Sequence, residues 1–395
     1  MGNDSLNGLH MKIVADNTVP FLKGIAEPFA EVVYLDSKAF TPEAVRDADA
    51  LIVRSIDKCT RELLEGSRVR LITTATIGFD HIDTHYCEEA GITWRNAPGC
   101  NAASVAQYVL VSLIAIALRR GESLAGKTIG IVGVGHVGSI VARYAEAWGM
   151  RVLLNDPPRA AVEGDGAFVP LETIEKEADI VTLHVPLTRE GQYATYHLAD
   201  ADFFGRLRRK PWFVNSCRGA VMDTTALIQA KRAGQVGELV IDCWENEPAI
   251  SPELLELTTI ATPHIAGFSA DGKANGTRAC LRAISEFFNV EVERLKEVTP
   301  SEPADPVIDL SAFADHRLER AVLRTFESPS MMAKGDGDLQ DSNIWRIDQA
   351  LRESPERFEW FRAHYDHPRE PRAYHLVGQT SREWKQLGVL KFHVD

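Results

Sequence analysis

Three short segments of the sequence carry residues whose types suit proton transfer beside an anion. They contain Arg218, Glu247 and His264, each next to a glycine or a proline. A histidine titrates near neutrality and can therefore take a proton from a hydroxyl group. A glutamate bonded to the imidazole would fix its tautomer and stabilise its cation, while an arginine can hold a carboxylate through two parallel hydrogen bonds and polarise the reacting oxygen. Together they predict a site that removes a hydroxyl proton next to a carboxylate.

Each of these residues also has a purely structural alternative. A histidine after proline can bond a loop, an acid before proline often caps, and an arginine before glycine can be a surface charge. The three residues are far apart in the sequence, so the prediction depends on elements that bring them together. Apolar runs at residues 180–185, 212–215 and 239–243 predict strands with polar residues at their carboxyl ends. In open α/β sheets that edge is where ligands bind.

The segment from Thr128 to Asp156 predicts a strand, a glycine turn, a helix and a second strand in succession. Gly133 would allow the tight turn, Gly135 would let the backbone approach a pyrophosphate, and Gly138 would let helix and strand pack closely. A structural glycine turn is the alternative, but the strand before, the helix after and the acid at the end agree with a dinucleotide site. Because Asp156 would bind ribose hydroxyls and repel a 2′-phosphate, the predicted cofactor is NAD rather than NADP.

The cofactor-binding residues predicted from this unit are Gly133, Gly135, His136, Val137, Gly138 and Asp156. Beside NAD, the three polar segments predict hydride transfer from an alcohol carbon.

The N-terminal part alternates short apolar runs with amphipathic segments, which predicts a second parallel sheet with helices on both faces. The predicted strands are residues 12–15, 31–35, 50–53, 71–74 and 92–94. Arg54, Ser55 and Thr76 follow two of these strands and are candidate substrate contacts. Ser55 and Thr76 are equally compatible with helix caps or turns.

The C-terminal part differs in character from about Glu297 onward. Prolines among acidic residues predict a linker, and the remainder is rich in aromatic residues, with helical spacing at 341–353 and 355–365. Residues 334–338 resemble the start of a calcium loop, but the glycine and glutamate of that pattern are missing at its sixth and twelfth positions. We interpret this segment as a solvated loop.

The composition excludes several function classes. The net charge of −13 argues against nucleic-acid or anionic-membrane partners, which require a cationic surface. Six cysteines without a CxxC pair indicate a reducing compartment and neither a zinc site nor a disulfide framework. We expect no metal, a cytoplasmic location and no membrane span, and we interpret residues 1–10 as a possible leader outside the fold.

The order of the motifs GxGxxG, Asp, NxxRG, ExEP and PHIAG resembles the D-isomer-specific 2-hydroxyacid dehydrogenase family over roughly residues 11–288. The resemblance implies two doubly wound parallel-sheet domains, a flavodoxin-like substrate domain (residues 11–100 and 268–289) and a Rossmann NAD domain (101–267). A C-terminal α+β segment (298–395) would serve dimerisation. It also implies Arg218, Glu247 and His264 as catalytic residues, and places Asp242 and Gly267 at NAD with Asp156.

Further motifs narrow the resemblance within the family. The segments at 50–55, 74–83 and 97–102, and a GK-spaced-GT element at 272–277, resemble enzymes that act on a four-carbon phosphorylated hydroxy acid. They imply a homodimer that oxidises 4-phospho-D-erythronate to 2-oxo-3-hydroxy-4-phosphobutanoate in pyridoxal 5'-phosphate (vitamin B6) biosynthesis, with substrate bound by Ser55, Thr76 and Arg54. The sequence departs from these enzymes at Phe268, where a tyrosine is expected, and at Gln107, where a glutamate is expected. Alternatives are a phosphoglycerate or glycerate type of dehydrogenase, or an NAD-sensing corepressor-like binding protein.

Overall fold

The computed structural model describes residues 11–327 and 342–394. The chain divides into two compact units, one with residues up to 101 and 270–301, the other with residues 102–269 and from 302 onward. The predicted leader and the predicted loop at 334–338 lie outside the described residues. We call the two the first and second units.

The first unit contains a parallel sheet, as its alternating pattern predicted. Its described strands are Lys12–Asp16 (β1), Glu31–Leu35 (β2), Ala50–Val53 (β3), Leu71–Thr74 (β4) and Thr93–Arg95 (β5). Its described α-helices before residue 101 are Pro42–Val45 (α1), Arg61–Leu64 (α2) and Thr84–Ala90 (α3). The strand order is β2-β1-β3-β4-β5 with every neighbouring pair parallel, which is the flavodoxin-like order. Strands β3 and β4 are buried at every position, as expected for strands covered on both faces.

The second unit begins with the NAD-type sheet. Its described strands up to residue 269 are Thr128–Val132 (β6), Arg151–Asn155 (β7), Ile180–Leu183 (β8), Trp212–Asn215 (β9), Leu239–Ile241 (β10) and Ile260–Ala261 (β11). Its described α-helices in this range are Ala102–Arg120 (α4), His136–Ala147 (α5), Pro157–Glu163 (α6), Leu171–Glu177 (α7), Ala201–Arg206 (α8), Thr224–Arg232 (α9) and Pro252–Leu257 (α10). The parallel order β11-β10-β9-β8-β6-β7 reverses direction at β6, so the glycine turn after β6 lies at the topological switch point. The Rossmann prediction is confirmed.

Helix α4 has an almost continuous apolar surface. Among the described residues it is the one helix long and apolar enough to cross a membrane, but 83% of its most apolar stretch is buried inside the protein. A helix that is apolar all round belongs in a core. α4 packs on α5 and shares a hydrophobic cluster with it.

The chain then returns to the first unit through helix Ala270–Phe288 (α11). Gly276 lies against the residue that follows β4, since a Cβ atom added there would stand 2.5 Å from the carbonyl oxygen of Ala75. This close approach explains why a glycine stands in the middle of a helix.

The C-terminal segment combines helices with a small parallel sheet of order β12-β13-β14. Its described elements are Val307–Asp309 (β12), Arg317–Thr325 (α12), Asn343–Glu353 (α13), Phe358–Ala363 (α14), His375–Val377 (β13), Ser381–Gly388 (α15) and His393–Val394 (β14). The two helices predicted here are present with shorter bounds, whereas the sequence pattern did not reveal the strands. Apolar residues of this segment join the same core as α4 and α5. Its role in dimerisation stays a prediction.

The contacts of Gln107 explain why a glutamine stands where a glutamate was expected. It is buried on α4, and its side-chain amide donates to the Oγ1 and carbonyl oxygen of Thr325 and to the carbonyl oxygen of Arg369, at 2.8, 3.3 and 3.2 Å. An ionised glutamate only accepts hydrogen bonds and cannot make these contacts. The glutamine therefore attaches α4 to the C-terminal segment.

Candidate active site

His264 and Glu247 form a hydrogen-bonded pair. The Nδ1 atom of His264 lies 2.8 Å from Oε2 of Glu247, and the other carboxylate oxygen accepts a hydrogen bond of 2.8 Å from the backbone N–H of Trp244. Burial raises the pKa of the Glu247 carboxyl, but the hydrogen bond and charge of His264, the hydrogen bond from Trp244 and the charge of Arg362 together leave that pKa below its usual value. Glu247 is therefore an anion that holds the imidazole by one nitrogen and leaves the other for a ligand.

The loop that carries His264 is built around Asp242. The carboxylate of Asp242 is completely buried and accepts hydrogen bonds from the hydroxyl of Thr262 and from the backbone N–H groups of Ile265 and Ala266, at 2.6, 2.8 and 3.0 Å. The N–H of His264 donates to the carbonyl oxygen of Asp242 at 2.9 Å. Burial raises the pKa of Asp242, and these contacts oppose that rise. Asp242 thus fixes the histidine loop, and its predicted contact with NAD stays a prediction.

The backbone of His264 itself is unusual. Its φ of 55° lies in the left-handed region, which residues other than glycine seldom adopt. Such strained positions persist where the surroundings dictate them, and they cluster at functional sites. The bonds to Asp242 supply that constraint. Gly267, another predicted NAD residue, is partly buried at the end of the same loop.

Arg218 joins this cluster through its backbone. Asn215, the last residue of β9, donates from its side-chain amide to the carbonyl oxygens of Arg218 and Cys243, at 3.1 Å each. A Cβ atom added at Gly219 would stand 1.9 Å from the carbonyl oxygen of Trp244, so only glycine fits there. The guanidinium of Arg218 is partly buried and donates to the carbonyl oxygen of Cys217 at 2.7 Å. The three polar segments predicted from the sequence are therefore neighbours.

Cys243 is a member of the site that sequence reasoning missed. Its Sγ atom and the ligand atoms of Glu247 and His264 all lie within 4.8 Å of one another, a spacing that a metal ion could bridge. Burial raises the pKa of the Cys243 thiol well above its usual value, so it is held as a neutral thiol rather than a thiolate. In the sequence, Cys243 is simply the last residue of a predicted apolar strand. Nothing in that pattern indicates how close it lies in space to Glu247 and His264.

The glycine turn after β6 has the geometry that its sequence predicted. Gly133 has a φ of 90° beside the backbone of His184, and a Cβ added at Gly138 would stand 2.1 Å from the carbonyl oxygen of Gly133. At Gly135, in contrast, an added Cβ would meet nothing within 4 Å, and within the described residues no side chain caps the start of α5. His136 and Val137 form the first turn of that helix. The turn therefore has room for an anion at a helix N-terminus.

Asp156 lies at the end of β7, next to this turn. Its carboxylate accepts hydrogen bonds from the N–H groups of Val134, at 2.8 Å, and of Arg159, at 3.1 Å, the second of which caps α6. The guanidinium of Arg159 also donates to the carbonyl oxygen of Val134 at 2.6 Å. The acid is thus held beside the glycine turn, at the place expected for a ribose-binding carboxylate.

The first unit holds the predicted substrate residues at the carboxyl ends of β3 and β4. Arg54 donates to the hydroxyl of Thr18 at 2.7 Å, and Ser55 beside it is exposed. The hydroxyl of Thr76 lies 2.8 Å from that of Thr74 and donates to the carbonyl oxygen of Gly78 at 2.9 Å. These hydroxyl and guanidinium groups form a polar edge within the unit.

Lys273 belongs to the same edge and was not singled out as a site residue from the sequence. It lies on α11 one turn before Gly276, which packs against the end of β4. Burial, and then the like charge of Arg54, lower the pKa of Lys273 to about 8. The first unit therefore contains two basic side chains, Arg54 and Lys273, of the kind that an anion-binding site requires.

Known proteins resemble this chain over most of its length. Residues 112–266 match the sequence model of the D-isomer specific 2-hydroxyacid dehydrogenase, NAD binding domain. The chain is 53% identical to the erythronate-4-phosphate dehydrogenase of Porphyromonas gingivalis, covering 97% of this chain and 100% of that one. It is 50% identical to the protein of the same description from Bacteroides thetaiotaomicron, covering 93% and 99%. Among solved structures, the D-lactate dehydrogenase of Aquifex aeolicus, complexed with NAD and lactic acid, is similar with a TM-score of 0.58 and 27% identity, covering 73% of this chain and 100% of that one.

Proposed function

The chain belongs to the erythronate-4-phosphate dehydrogenase family of D-isomer-specific 2-hydroxyacid dehydrogenases, and on this premise we propose that it catalyses the NAD-dependent oxidation of 4-phospho-D-erythronate. The product is 2-oxo-3-hydroxy-4-phosphobutanoate, a precursor in pyridoxal 5'-phosphate biosynthesis. The observation that carries the proposal is the 2.8 Å pair of His264 and Glu247, in the same unit as the open glycine turn.

The residues of the second unit fit NAD. Gly135 leaves open space at the start of α5, Gly138 brings the helix against the turn, and Asp156 stands beside the turn with a carboxylate for the ribose. A 2′-phosphate would meet the negative charge of Asp156, which favours NAD over NADP. When bound, NAD supplies the acceptor for the hydride that leaves C2 of the substrate.

His264 is the base in this proposal. With Nδ1 held by Glu247, the other ring nitrogen takes the proton of the C2 hydroxyl. The imidazolium that forms is stabilised by the negative charge of Glu247, and the buried carboxylate of Asp242 fixes the loop around it. In the reverse direction the same imidazolium returns the proton to the carbonyl oxygen.

The substrate has two anionic groups, and the chain offers a cation for each. We assign the carboxylate to Arg218, whose guanidinium can hold it bidentately and polarise the reacting oxygen. We assign the phosphate to Ser55 and Thr76, with Arg54 as the charged partner. These assignments rest on residue chemistry and on the position of each side chain at a strand end.

We further propose that the protein acts as a cytoplasmic homodimer without nucleic-acid or membrane partners. The net charge of −13 argues against nucleic-acid partners, and the burial of α4 argues against a membrane partner. The C-terminal segment shares a core with the NAD-type sheet, so a truncation would expose apolar surface. Sedimentation of the full chain is the appropriate test: a dimer is expected, and a monomer at micromolar concentration would contradict it.

The activity is tested with the purified full chain, NAD and 4-phospho-D-erythronate. We expect NADH to form together with one equivalent of the 2-oxo acid, identified by mass spectrometry. Tight NAD binding without turnover of any 2-hydroxy acid would instead favour a cofactor-sensing protein.

A further inference from the structure

Helix α4 contacts the loop of the catalytic histidine through one of its turns. The phenol oxygen of Tyr108 lies 2.7 Å from the hydroxyl oxygen of Thr262, and the hydroxyl of Ser104 donates to the carbonyl oxygen of Ala266 at 2.9 Å. The side chains of all three polar residues are buried. The two contacts lie on either side of His264 in the sequence, and all of these residues belong to the second unit. The helix therefore supports the loop before and after the histidine.

The hydrogen bonds that start at Tyr108 have a fixed direction. The hydroxyl of Thr262 has one proton, which it donates to Oδ1 of Asp242 at 2.6 Å. The hydroxyl of Tyr108 must therefore donate to Thr262 rather than accept from it. Burial raises the pKa of Tyr108 well above its usual value, so the phenol keeps the proton that this bond requires. The result is a directed chain of hydrogen bonds from the phenol to the carboxylate.

The carboxylate at the end of this chain shapes the histidine loop. Its Oδ1 atom accepts the N–H of Ile265 at 2.8 Å as well as the hydroxyl of Thr262, and its Oδ2 atom accepts the N–H of Ala266 at 3.0 Å. These bonds surround the residue that has the left-handed φ of 55°, His264. Because Thr262 and Ile265 share one oxygen, a rotation of the threonine hydroxyl would disturb the bonds that hold the loop.

The same turn of α4 also contacts the C-terminal segment. Gln107, the residue before Tyr108, donates to Thr325 and to the carbonyl oxygen of Arg369. The ring of Tyr108 lies near that of Phe326, with centroids 6.3 Å apart. Adjacent residues of one turn thus bind the C-terminal segment and the histidine loop.

Packing alone accounts for the ring of Tyr108 but not for its hydroxyl. A phenylalanine would fill the same apolar space, and burial of a hydroxyl is unfavourable unless the hydroxyl is hydrogen-bonded. We propose that Tyr108 is a positioning residue whose hydroxyl, through Thr262 and Asp242, fixes the loop of the catalytic histidine. The proposal rests on the proposed function, because it assigns that histidine the role of base. It gives α4 a part in the reaction in addition to its part in the core.

Variants of the full chain that remove one hydroxyl test the proposal. Y108F keeps the ring, T262V keeps the volume of the threonine, and T262S keeps its hydroxyl. Y144F is the matched control, because Tyr144 is also buried, lies on α5 and belongs to the same hydrophobic cluster. We expect Y108F and T262V to lower kcat roughly fivefold or more, with KM for 4-phospho-D-erythronate within about twofold, since orientation of a base acts on the chemical step. T262S and Y144F should retain kcat.

The double variant Y108F/T262V separates one shared chain from two independent effects. Its kcat should be no lower than that of T262V, since the tyrosine acts through the threonine. Multiplied losses would overturn the proposal, as would wild-type kcat in Y108F or an equal loss in Y144F. If Y108F does not fold, T262V decides in its place: a loss that T262S restores supports the proposal, and wild-type kcat overturns it. Failure of both variants to fold would show that the hydroxyls are structural, which also overturns it.

A measurement without substrate keeps this proposal distinct from the proposed function. Amide hydrogen exchange of the peptide covering residues 262–267 reports the bonds of Ile265 and Ala266 to Asp242. We expect this exchange to be about fivefold or more faster in Y108F than in the wild type and unchanged in Y144F, with strand β9 unchanged in both. Faster loop exchange supports the role of Tyr108 even if 4-phospho-D-erythronate is not the substrate. Unchanged exchange overturns it even if that substrate is oxidised.

Discussion

The Nδ1 atom of His264 lies 2.8 Å from a carboxylate oxygen of Glu247, whose other oxygen is held by the backbone of Trp244. The glutamate is thereby fixed on both sides and transmits its position to the imidazole. A second pair of the same kind, His197 with Glu245 at 2.7 Å, occurs in the same unit with similar exposure of the histidine. Only the first pair belongs to the loop at the end of β11.

The first prediction compares the His264–Glu247 pair with the His197–Glu245 pair. H264N should lower kcat by roughly two to four orders of magnitude, because the base that takes the hydroxyl proton is lost. H197N, which breaks a pair of similar length, should keep kcat within about twofold of the wild type. Steady-state kinetics of both variants measure the difference. Near-wild-type turnover by H264N would show that another residue is the base.

The glycine turn permits a second matched comparison. G138A should destabilise the protein by roughly 1–3 kcal/mol, because the new Cβ would overlap the carbonyl oxygen of Gly133. G135A should unfold close to the wild-type temperature without NAD, since its Cβ meets no protein atom within 4 Å and only the poorer capping by alanine counts against it. It should nevertheless bind NAD about tenfold or more weakly, a loss of about 1.4 kcal/mol. Thermal unfolding and calorimetry measure the two effects, and unchanged NAD affinity in G135A would place the pyrophosphate elsewhere.

Asp156 supports a third prediction, about cofactor choice. D156N keeps a residue that can cap α6 but removes the charge, so the fold should be retained. We expect the kcat/KM ratio of NAD to NADP to fall by roughly tenfold or more, because repulsion of the 2′-phosphate is lost along with the ribose contact. D200N is the control, because Asp200 caps α8 in the same manner. An unchanged ratio in D156N would remove the carboxylate from the ribose site.

A fourth prediction concerns the pH dependence of Lys273. Because burial and Arg54 lower its pKa to about 8, its amine is mostly neutral at pH 9 and mostly charged below pH 7. Acylation of Lys273 should therefore rise steeply between these values, and a bound phosphate ester, which favours the ammonium, should slow it. Peptide mass spectrometry can follow Lys273 with the exposed Lys38 as a reference in the same sample. If 4-phospho-D-erythronate did not slow the acylation of Lys273 relative to that of Lys38, Lys273 would lie away from the phosphate.

The sequence predicted those parts of the fold whose determinants are local. The glycine turn, its flanking strands and Asp156 lie within one short stretch, so spacing alone gives their arrangement. The alternating pattern of the first unit likewise predicted its five described strands, with ends displaced by a residue at most. The bond between Glu247 and His264 was predicted from the chemistry of the two side chains, and the structure shows it.

Features that depend on packing between distant segments were not predictable. β11 has only two residues, too few for any periodic pattern, yet its pairing with β10 brings Thr262 beside Asp242. The contact of Arg362 with Phe268 joins residues nearly a hundred positions apart. Lys273 appeared only as part of a motif, because its low pKa arises from burial and from the charge of Arg54 on another element.

The most direct test of the account compares substrates with the purified full chain and NAD. The substrates are 4-phospho-D-erythronate, 3-phospho-D-glycerate and D-glycerate, and the measured quantity is kcat/KM from NADH formation. We predict a value for 4-phospho-D-erythronate roughly tenfold or more above each of the others, since the loss of one carbon or of the phosphate removes contacts made in the transition state. No NADH from 4-phospho-D-erythronate, together with turnover of another 2-hydroxy acid, would contradict the account.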